Sequence, residues 1–123
     1  MGGRGTYATG NNVPYSYKTV GYIEGAKVLQ GLNGLHKLPE EAHSSYAYVR
    51  LDHEGKFHEI RFYNKNHRLT HEIAYHLEPN ISKTGKPVLH LHTYGPNFQR
   101  SDAMKLSKAV KKFYKKYFKG VKT

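Results

Sequence analysis

The sequence predicts an α+β fold: a four-stranded antiparallel meander packed by a C-terminal amphipathic helix and preceded by a flexible N-terminal arm. Four segments alternate in polarity and are rich in β-branched and aromatic residues. A lysine-rich segment after them repeats apolar residues at helical spacing. The first eighteen residues are rich in glycine and show no periodicity. At 123 residues the chain fits one domain, so we assign residues 1–18 to the arm and 19–123 to the domain.

The strands are the clearest elements. They are predicted at residues 46–52, 57–63, 69–76 and 88–94. The first two gaps are short and suit hairpin turns, whereas the third is longer and carries Pro79, Gly85 and Pro87. Upstream, residues 19–38 contain four glycines that weaken any helix, which favours a strand or an irregular cover over the core. Residues 39–41 suit a helical turn that opens on proline.

The C-terminal segment predicts a helix of about eighteen residues, roughly 27 Å long. Ser101 or Asp102 suits its N-terminal cap, and Gly120 suits its C-terminal end. The face expected to pack on the sheet comprises Ala103, Leu106, Ala109, Val110, Phe113, Tyr114, Tyr117 and Phe118. The opposite face comprises Lys105, Lys108, Lys111, Lys112, Lys115, Lys116 and Lys119.

Positive charge is concentrated in that segment. The formal charge is +11, and eight lysines face a single acid between Ser101 and Thr123. Three interpretations are open: binding to nucleic-acid phosphates, binding to an anionic membrane surface, and simple solvation of a helix face. A membrane role would need the apolar face that the core requires. Because the one-signed charge exceeds what solubility needs, the seven lysines are predicted to bind nucleic acid.

Several classes of protein are excluded. The absence of cysteine rules out disulfides, thiolate-bound zinc and a catalytic thiol. No apolar run is long enough to span a bilayer, and no signal peptide is evident. No phosphate loop or dinucleotide fingerprint occurs, so we expect no cofactor. The expected location is the cytoplasm of a bacterial host or a phage particle, and the sequence leaves the oligomeric state open.

Alternation along the strands predicts a polar side of the sheet opposite the apolar one. The polar side comprises Tyr48, Arg50, Glu59, Arg61, Tyr63, Glu72, His76, His90, His92 and Tyr94. Carboxylates, imidazoles and guanidinium groups together suit phosphodiester cleavage. The alternative is an ordinary solvated face with cross-strand ion pairs.

Two weaker signals accompany this face. His90 and His92 stand two apart on one strand, which is compatible with zinc if His76 supplies a third ligand. This spacing is common, and we expect no metal. His43 stands beside Ser44 on a predicted loop, where either catalysis or a simple turn cap would explain the pair.

Three motifs carry a resemblance to known proteins. The start MGGRG, LPEEAHSSYAY at 38–48 and GKPVLHLHTYG at 85–95 together resemble short prophage-encoded proteins of Gram-positive bacteria. The resemblance implies a phage or prophage origin and carries over no activity.

The polar strands are also similar to the C-terminal ribonuclease domains of bacterial polymorphic toxins, although those domains usually place the helix before the sheet. The similarity implies His76, His90 and Glu72 as acid and base, with Arg50 and Arg61 holding phosphate. The first hypothesis is therefore a phage-associated nucleic-acid-binding protein, with metal-independent ribonuclease activity as its extension. The alternative is a non-enzymatic phage structural or interaction protein, whose basic helix contacts a phage or host protein or DNA.

Overall fold

The computed structural model describes residues 17–31, 38–39 and 46–121. Within them, seven strands form one sheet in chain order, followed by a short helix and a 3-10 turn. The strands are β1 (Tyr17–Ile23), β2 (Ala26–Gly31), β3 (Ala47–Leu51), β4 (Phe57–Tyr63), β5 (Leu69–His76), β6 (Val88–Thr93) and β7 (Met104–Lys105). The α+β class is confirmed in this coarse form, but the expectation of four strands is wrong.

The four predicted strands are β3 to β6, and they pair antiparallel in sequence order. β4 and β5 have the predicted bounds, and β3 and β6 are each shorter by one or two residues. Alternating side chains with β-branched and aromatic character form a pleated surface with one buried side. This local pattern is sufficient to predict the centre of the sheet.

The three additional strands extend both edges of the sheet. β1 and β2 form a hairpin whose two-residue turn, Glu24 and Gly25, has positive φ at both positions, as a type I′ turn requires. β2 then pairs in parallel with β3, so the sheet is not a simple meander. Because β1 begins at Tyr17, the last two residues of the predicted arm belong to the sheet. The rest of the arm, residues 1–16, lies outside the described residues.

A bulge between β3 and β4 changes which side chains share a side of the sheet. Arg50 pairs with Glu59, but the next residue along β3, Leu51, pairs with Phe57, so His58 is the extra residue. A bulge places two consecutive residues of one strand opposite a single partner. As a result Phe57 enters the core, while His58 stacks on His76 on the polar side.

Apolar residues are buried on both sides of the sheet. The larger cluster lies under the C-terminal segment and contains Val49, Ile60, Phe62, Ile73 and Leu89 among the strand residues, with Leu106, Tyr117 and Phe118 packed against them. The smaller cluster lies on the other side and comprises Tyr17, Leu29, Leu38, Tyr48, Tyr63 and Leu69. The sheet is thus covered on both sides over part of its area.

The C-terminal helix is shorter than the sequence predicts. α1 spans Lys108–Tyr114 and continues into a 3-10 turn, Lys115–Tyr117. Ser107 is the N-cap, and its hydroxyl accepts a hydrogen bond from the Val110 amide at 3.2 Å, so the predicted cap at Ser101 or Asp102 is wrong. Met104 and Lys105 instead pair with β6 as strand β7. The open edge of β6 offers them the backbone hydrogen bonds that helix formation would otherwise supply.

Only one row of the predicted apolar face packs on the sheet. Leu106, Tyr117 and Phe118 are buried, and Val110 and Tyr114 pack against the same cluster. Phe113 is 72% exposed, which corrects its predicted place in the core. Ala109 is exposed as well. A seven-residue helix has room for a single contact row, at spacings of three and four residues.

Candidate functional site

Two surfaces carry the residues that the sequence singles out. One is the polar face, defined as the side of β3 to β6 opposite α1. The other is the lysine surface, defined as Lys105, Lys108, Lys111, Lys112, Lys115, Lys116 and Lys119. The side-chain contacts between the strands, described below, place the predicted polar residues together on the polar face.

A buried ion-pair network occupies the centre of the polar face. Arg61 and Glu72 face each other across β4 and β5, and the Arg61 Nε donates to Glu72 Oε1 at 2.8 Å. The Tyr94 hydroxyl donates to the same oxygen at 2.9 Å. The second Glu72 oxygen lies 3.9 Å from Nη2 of Arg100. The carboxylate is therefore committed to internal partners.

The electrostatics of this network favour charged Glu72 and Arg61 and a neutral Tyr94. Burial by itself would raise the pKa of Glu72, but the charge of Arg61 and the hydrogen bond from Tyr94 outweigh it and hold the pKa below its usual value. Burial would likewise lower the pKa of Arg61, and the neighbouring Glu72 raises it instead. Burial raises the pKa of the Tyr94 phenol, so it remains a hydrogen-bond donor. Each of the three groups keeps the protonation state that the network needs.

A piece of the connection between β2 and β3 covers this network. The Arg61 Nη1 donates to the Leu38 carbonyl at 2.7 Å, and the Tyr63 hydroxyl donates to the Pro39 carbonyl. Glu72 is 3% exposed as a result. The expected helical turn at 39–41 and the candidate His43 lie largely or wholly outside the described residues.

Four histidines form a continuous row across one end of the polar face, and we call them the histidine row: His58, His76, His90 and His92. The ring centroids of His58 and His76 lie 5.6 Å apart, those of His76 and His90 4.5 Å, and those of His90 and His92 5.2 Å. Burial lowers the pKa of His90, and burial together with the charge of Arg50 lowers that of His58. Both rings are therefore neutral at physiological pH.

Glu78 completes a group that the sequence analysis did not identify. Its carboxylate lies with the side-chain nitrogens of His90 and His92 in a set whose ligand atoms are all within 4.8 Å of one another. Glu78 follows β5 in an irregular segment, where strand alternation predicts nothing. Glu78 is also distant in sequence from His90 and His92, so no local sequence pattern relates it to them.

The structure divides the five catalytic candidates among three environments. Glu72 and Arg61 bind each other within the buried network. His76 and His90 are neighbours in the histidine row, and His90 is fully buried. Arg50 is bound to Glu59, with Nε to Oε1 at 3.1 Å. The five side chains share one side of the sheet, yet their charged members are already paired with protein groups.

The lysine surface has a different character. Six of its lysines are exposed and Lys111 is half-buried. Among residues 17–31, 38–39 and 46–121, the ion pairs involve arginines and Lys56 but none of these seven lysines. Lys116 lies over the ring of Tyr117 at 5.3 Å, and the exposed Phe113 ring lies 4.9 Å from that of Tyr114. The surface therefore combines unpaired positive charge with an exposed aromatic ring.

Comparison with known proteins defines no family for this chain. No family model, curated protein or solved structure matches it. In the part of the chain that the structure describes, no helix has the length and apolar character needed to cross a bilayer. Over the residues that it describes, the structure defines an α+β protein with a seven-stranded mixed sheet and a basic C-terminal surface.

Proposed function

We propose that this chain is a phage-associated nucleic-acid-binding protein that contacts phosphates with its lysine surface. The observation that carries the proposal is the exposure of lysines within a fifteen-residue stretch, 105–119, with no carboxylate partner among the described residues. Phosphate neutralisation by such lysines releases condensed counterions and drives binding. The phage association is supported by the three sequence motifs.

Phe113 favours single-stranded nucleic acid over a duplex. Its ring is exposed and is flanked in sequence by Lys111, Lys112 and Lys115. Proteins that bind single strands combine a basic surface with aromatic rings on which bases stack, and each stacked base contributes about 1–3 kcal/mol. A base bound at Phe113 would have lysines on the same helix available for its phosphates.

The test is a titration of single-stranded RNA, single-stranded DNA and duplex DNA by fluorescence anisotropy at roughly 50 and 200 mM salt. If each of the seven lysines neutralises one phosphate, a plot of the logarithm of the association constant against the logarithm of salt concentration has a slope of about −5 for a single strand. With fewer phosphate contacts the slope is proportionally smaller in magnitude. The variant Lys108→Glu/Lys112→Glu/Lys115→Glu should abolish binding. Unchanged binding by this variant would exclude the lysine surface as the contact.

The matched control places the same change in net charge elsewhere. Lys65, Lys83 and Lys86 are exposed in loops outside the lysine surface, and their joint replacement by glutamate should weaken binding only through the long-range field. Phe113→Ala should weaken binding to single strands by roughly tenfold or more and leave duplex binding nearly unchanged. Circular dichroism spectra must show that all variants keep the wild-type fold.

The alternative, a non-enzymatic phage structural or interaction protein, is supported by the same exposed charge. It differs in the expected partner, since an acidic protein surface would replace phosphate. Specific capture of a phage or host protein, lost in the Lys108/Lys112/Lys115 variant and combined with no binding to nucleic acid, would favour it.

Metal-independent ribonuclease activity stays a prediction. It draws support from the grouping of His76, His90 and Glu72 on one side of the sheet, and the burial of His90 and Glu72 gives it less support than binding has. Incubation of the protein with total RNA in EDTA tests it. Cleavage that is lost in His90→Ala would support the enzyme, and intact RNA with wild-type protein would remove the hypothesis.

A further inference from the structure

The orientation of the two buried histidines on β6 shows which of their nitrogens carry the lone pair that a metal ion needs. The Nδ1 of His90 lies 2.9 Å from the Val88 carbonyl, and the Nδ1 of His92 lies 2.9 Å from the Ser101 carbonyl. A carbonyl oxygen only accepts, so each Nδ1 carries the proton and each Nε2 carries a lone pair. This is the arrangement by which backbone carbonyls orient metal-binding histidines.

The Nε2 of His90 is a buried acceptor for which the described part of the chain supplies no donor. Among the described residues it has no hydrogen-bond partner, although His90 is 0% exposed. Buried polar atoms nearly always find a partner, and one without a partner calls for an explanation such as an absent ion or water. The Glu78 carboxylate, which belongs to the same close group as His90 and His92, supplies a negative charge near the His90 ring.

We propose that Glu78, His90 and His92 form a binding site for a divalent transition-metal ion, for which zinc is the best fit. Two imidazoles and one carboxylate make a three-ligand set of the kind that leaves a fourth position open. Calcium and magnesium prefer oxygen ligands throughout, so the two nitrogens select against them. The site goes beyond the proposed nucleic-acid binding, because none of its ligands belongs to the lysine surface.

The set requires a small contraction to bind the ion. Ligand atoms around a tetrahedral zinc with bonds of about 2.0–2.1 Å lie about 3.3 Å apart, compared with separations of up to 4.8 Å here. Glu78 lies outside the strands and is half-buried, so its side chain can close the gap while β6 stays fixed. From the sequence we expect no metal and name His76 only as the third ligand that zinc would need, whereas the close set in the structure contains Glu78.

Arg100 competes with the metal for one ligand. Its Nη2 donates to the Nε2 of His92 at 2.7 Å, and its side chain is 50% exposed. The guanidinium would have to leave this lone pair before zinc binds, and its charge repels the incoming cation. Removing Arg100 should therefore strengthen zinc binding, an effect that a surface histidine site would not show.

The experiment uses full-length protein without an affinity tag, stripped with EDTA, dialysed, and titrated with ZnCl₂ by calorimetry in competition with a chromophoric chelator. We expect one tight site per chain. Glu78→Gln, which preserves side-chain size, should weaken zinc binding about 100-fold or more, because even outer-shell changes cost 10–100-fold. Arg100→Ala should tighten binding. His76→Gln is the matched control and should leave the affinity within about twofold of wild type.

Visible absorption of the Co²⁺-loaded protein gives an independent readout, since the intense bands of tetrahedral Co²⁺ should disappear in Glu78→Gln and persist in His76→Gln. Circular dichroism must show that both variants are folded. Equal zinc affinity of wild type and Glu78→Gln would overturn the proposal, and so would loss of the site in His76→Gln alone. If zinc binds in this way, the Nε2 of His90 is occupied and cannot serve as the base of a metal-independent ribonuclease.

Discussion

Replacing Glu72 by glutamine removes the charge that faces Arg61 while keeping the size of the side chain. The pair is 2.8 Å from Nε to Oε1, with side-chain exposures of 10% and 3%. Removing one partner of a buried ion pair costs about 3–5 kcal/mol, because the other charge is left uncompensated. Arg61 keeps its hydrogen bond to the Leu38 carbonyl, and the glutamine oxygen can still accept from Nε. We therefore expect the lower end, about 3 kcal/mol.

This loss is large for a chain of 123 residues. At roughly 0.05–0.15 kcal/mol per residue, the free energy of unfolding is on the order of 6–18 kcal/mol. The Tm should fall by about 10–15 °C, at roughly 3–5 °C per kcal/mol for a domain of this size. Urea unfolding at neutral pH, followed by far-ultraviolet circular dichroism, measures the difference in free energy of unfolding between wild type and Glu72→Gln. Tyrosine fluorescence serves as the second probe, because the chain contains no tryptophan.

A neighbouring pair of the same chemistry provides the control. Arg50 and Glu59 also face each other across two strands, at 3.1 Å, but the Arg50 side chain is 26% exposed. Glu59→Gln should cost about 1 kcal/mol or less, because solvent screens the partly exposed arginine. Equal losses for Glu72→Gln and Glu59→Gln, within about 0.5 kcal/mol, would refute the assignment of burial as the cause.

The pH dependence follows from the depressed pKa of Glu72. A carboxyl whose pKa is lower in the folded state contributes stability above its unfolded pKa and loses it as the pH falls through the folded value. The stability difference between wild type and Glu72→Gln should therefore be full at neutral pH and shrink in acid below about pH 4.5. A difference that persists at low pH would show that the loss comes from packing.

Three further changes test individual features of the fold. Gly120→Ala should destabilise the fold more than Gly85→Ala. Positive φ costs about 1 kcal/mol at both positions, but only at Gly120 would the new Cβ also meet a neighbour, Cγ of Lys56 at 2.8 Å. Equal losses in urea unfolding would show that this contact relaxes freely. His71→Phe should flatten the pH dependence of stability. Burial lowers the pKa of His71, so wild-type stability falls as the pH drops below about 6.5, by at most about 1.4 kcal/mol per unit from this group, and an unchanged profile between pH 5 and 7 would contradict this. Ser107→Ala should remove the cap of α1 and cost about 1 kcal/mol, and amide hydrogen exchange in α1 that stays at the wild-type rate would show that the cap is dispensable.

The centre of the sheet could be predicted from the sequence because the signal is local. Alternation predicts the bounds of β4 and β5 and, away from the bulges, the side of the sheet on which each residue lies. The edges could not be predicted in the same way. β2 is placed by parallel pairing with β3, a contact between distant residues, and β7 consists of two residues that no periodicity defines.

The helix shows the opposite failure, in which a strong local pattern is overridden. The apolar spacing from Ala103 onward is helical, but Met104 and Lys105 gain backbone pairing with β6. Ser101 was a good candidate cap, and its hydroxyl instead accepts a hydrogen bond from the Thr93 amide at 2.9 Å. Helix propensity differs by only fractions of a kcal/mol per residue, so tertiary contacts decide where α1 begins.

The sequence predicted which residues form the polar face, but it did not predict that several of them are buried. Strand alternation correctly grouped Arg61, Glu72 and His90, but it cannot show that Leu38 and Pro39 cover the face or that a bulge adds His58. Burial turns the same residue types from a solvated surface into a network with fixed protonation states. Sequence spacing also could not identify Glu78, because only the fold brings it close to His90 and His92.

Under the proposed function, the division of charge between the two surfaces would link the stability of α1 to the binding of phosphates. The ion pairs among the described residues join three glutamates to arginines and to Lys56, and none of them includes a lysine of α1. Like charges four residues apart, such as Lys108 and Lys112, destabilise a helix by about 0.2–0.5 kcal/mol per pair. Phosphates bound along the surface would relieve this repulsion in the bound state. If the protein binds phosphates as proposed, the free energy that α1 loses in the unbound state would be regained on binding, and the lysines that weaken α1 would strengthen its affinity for a polyanion.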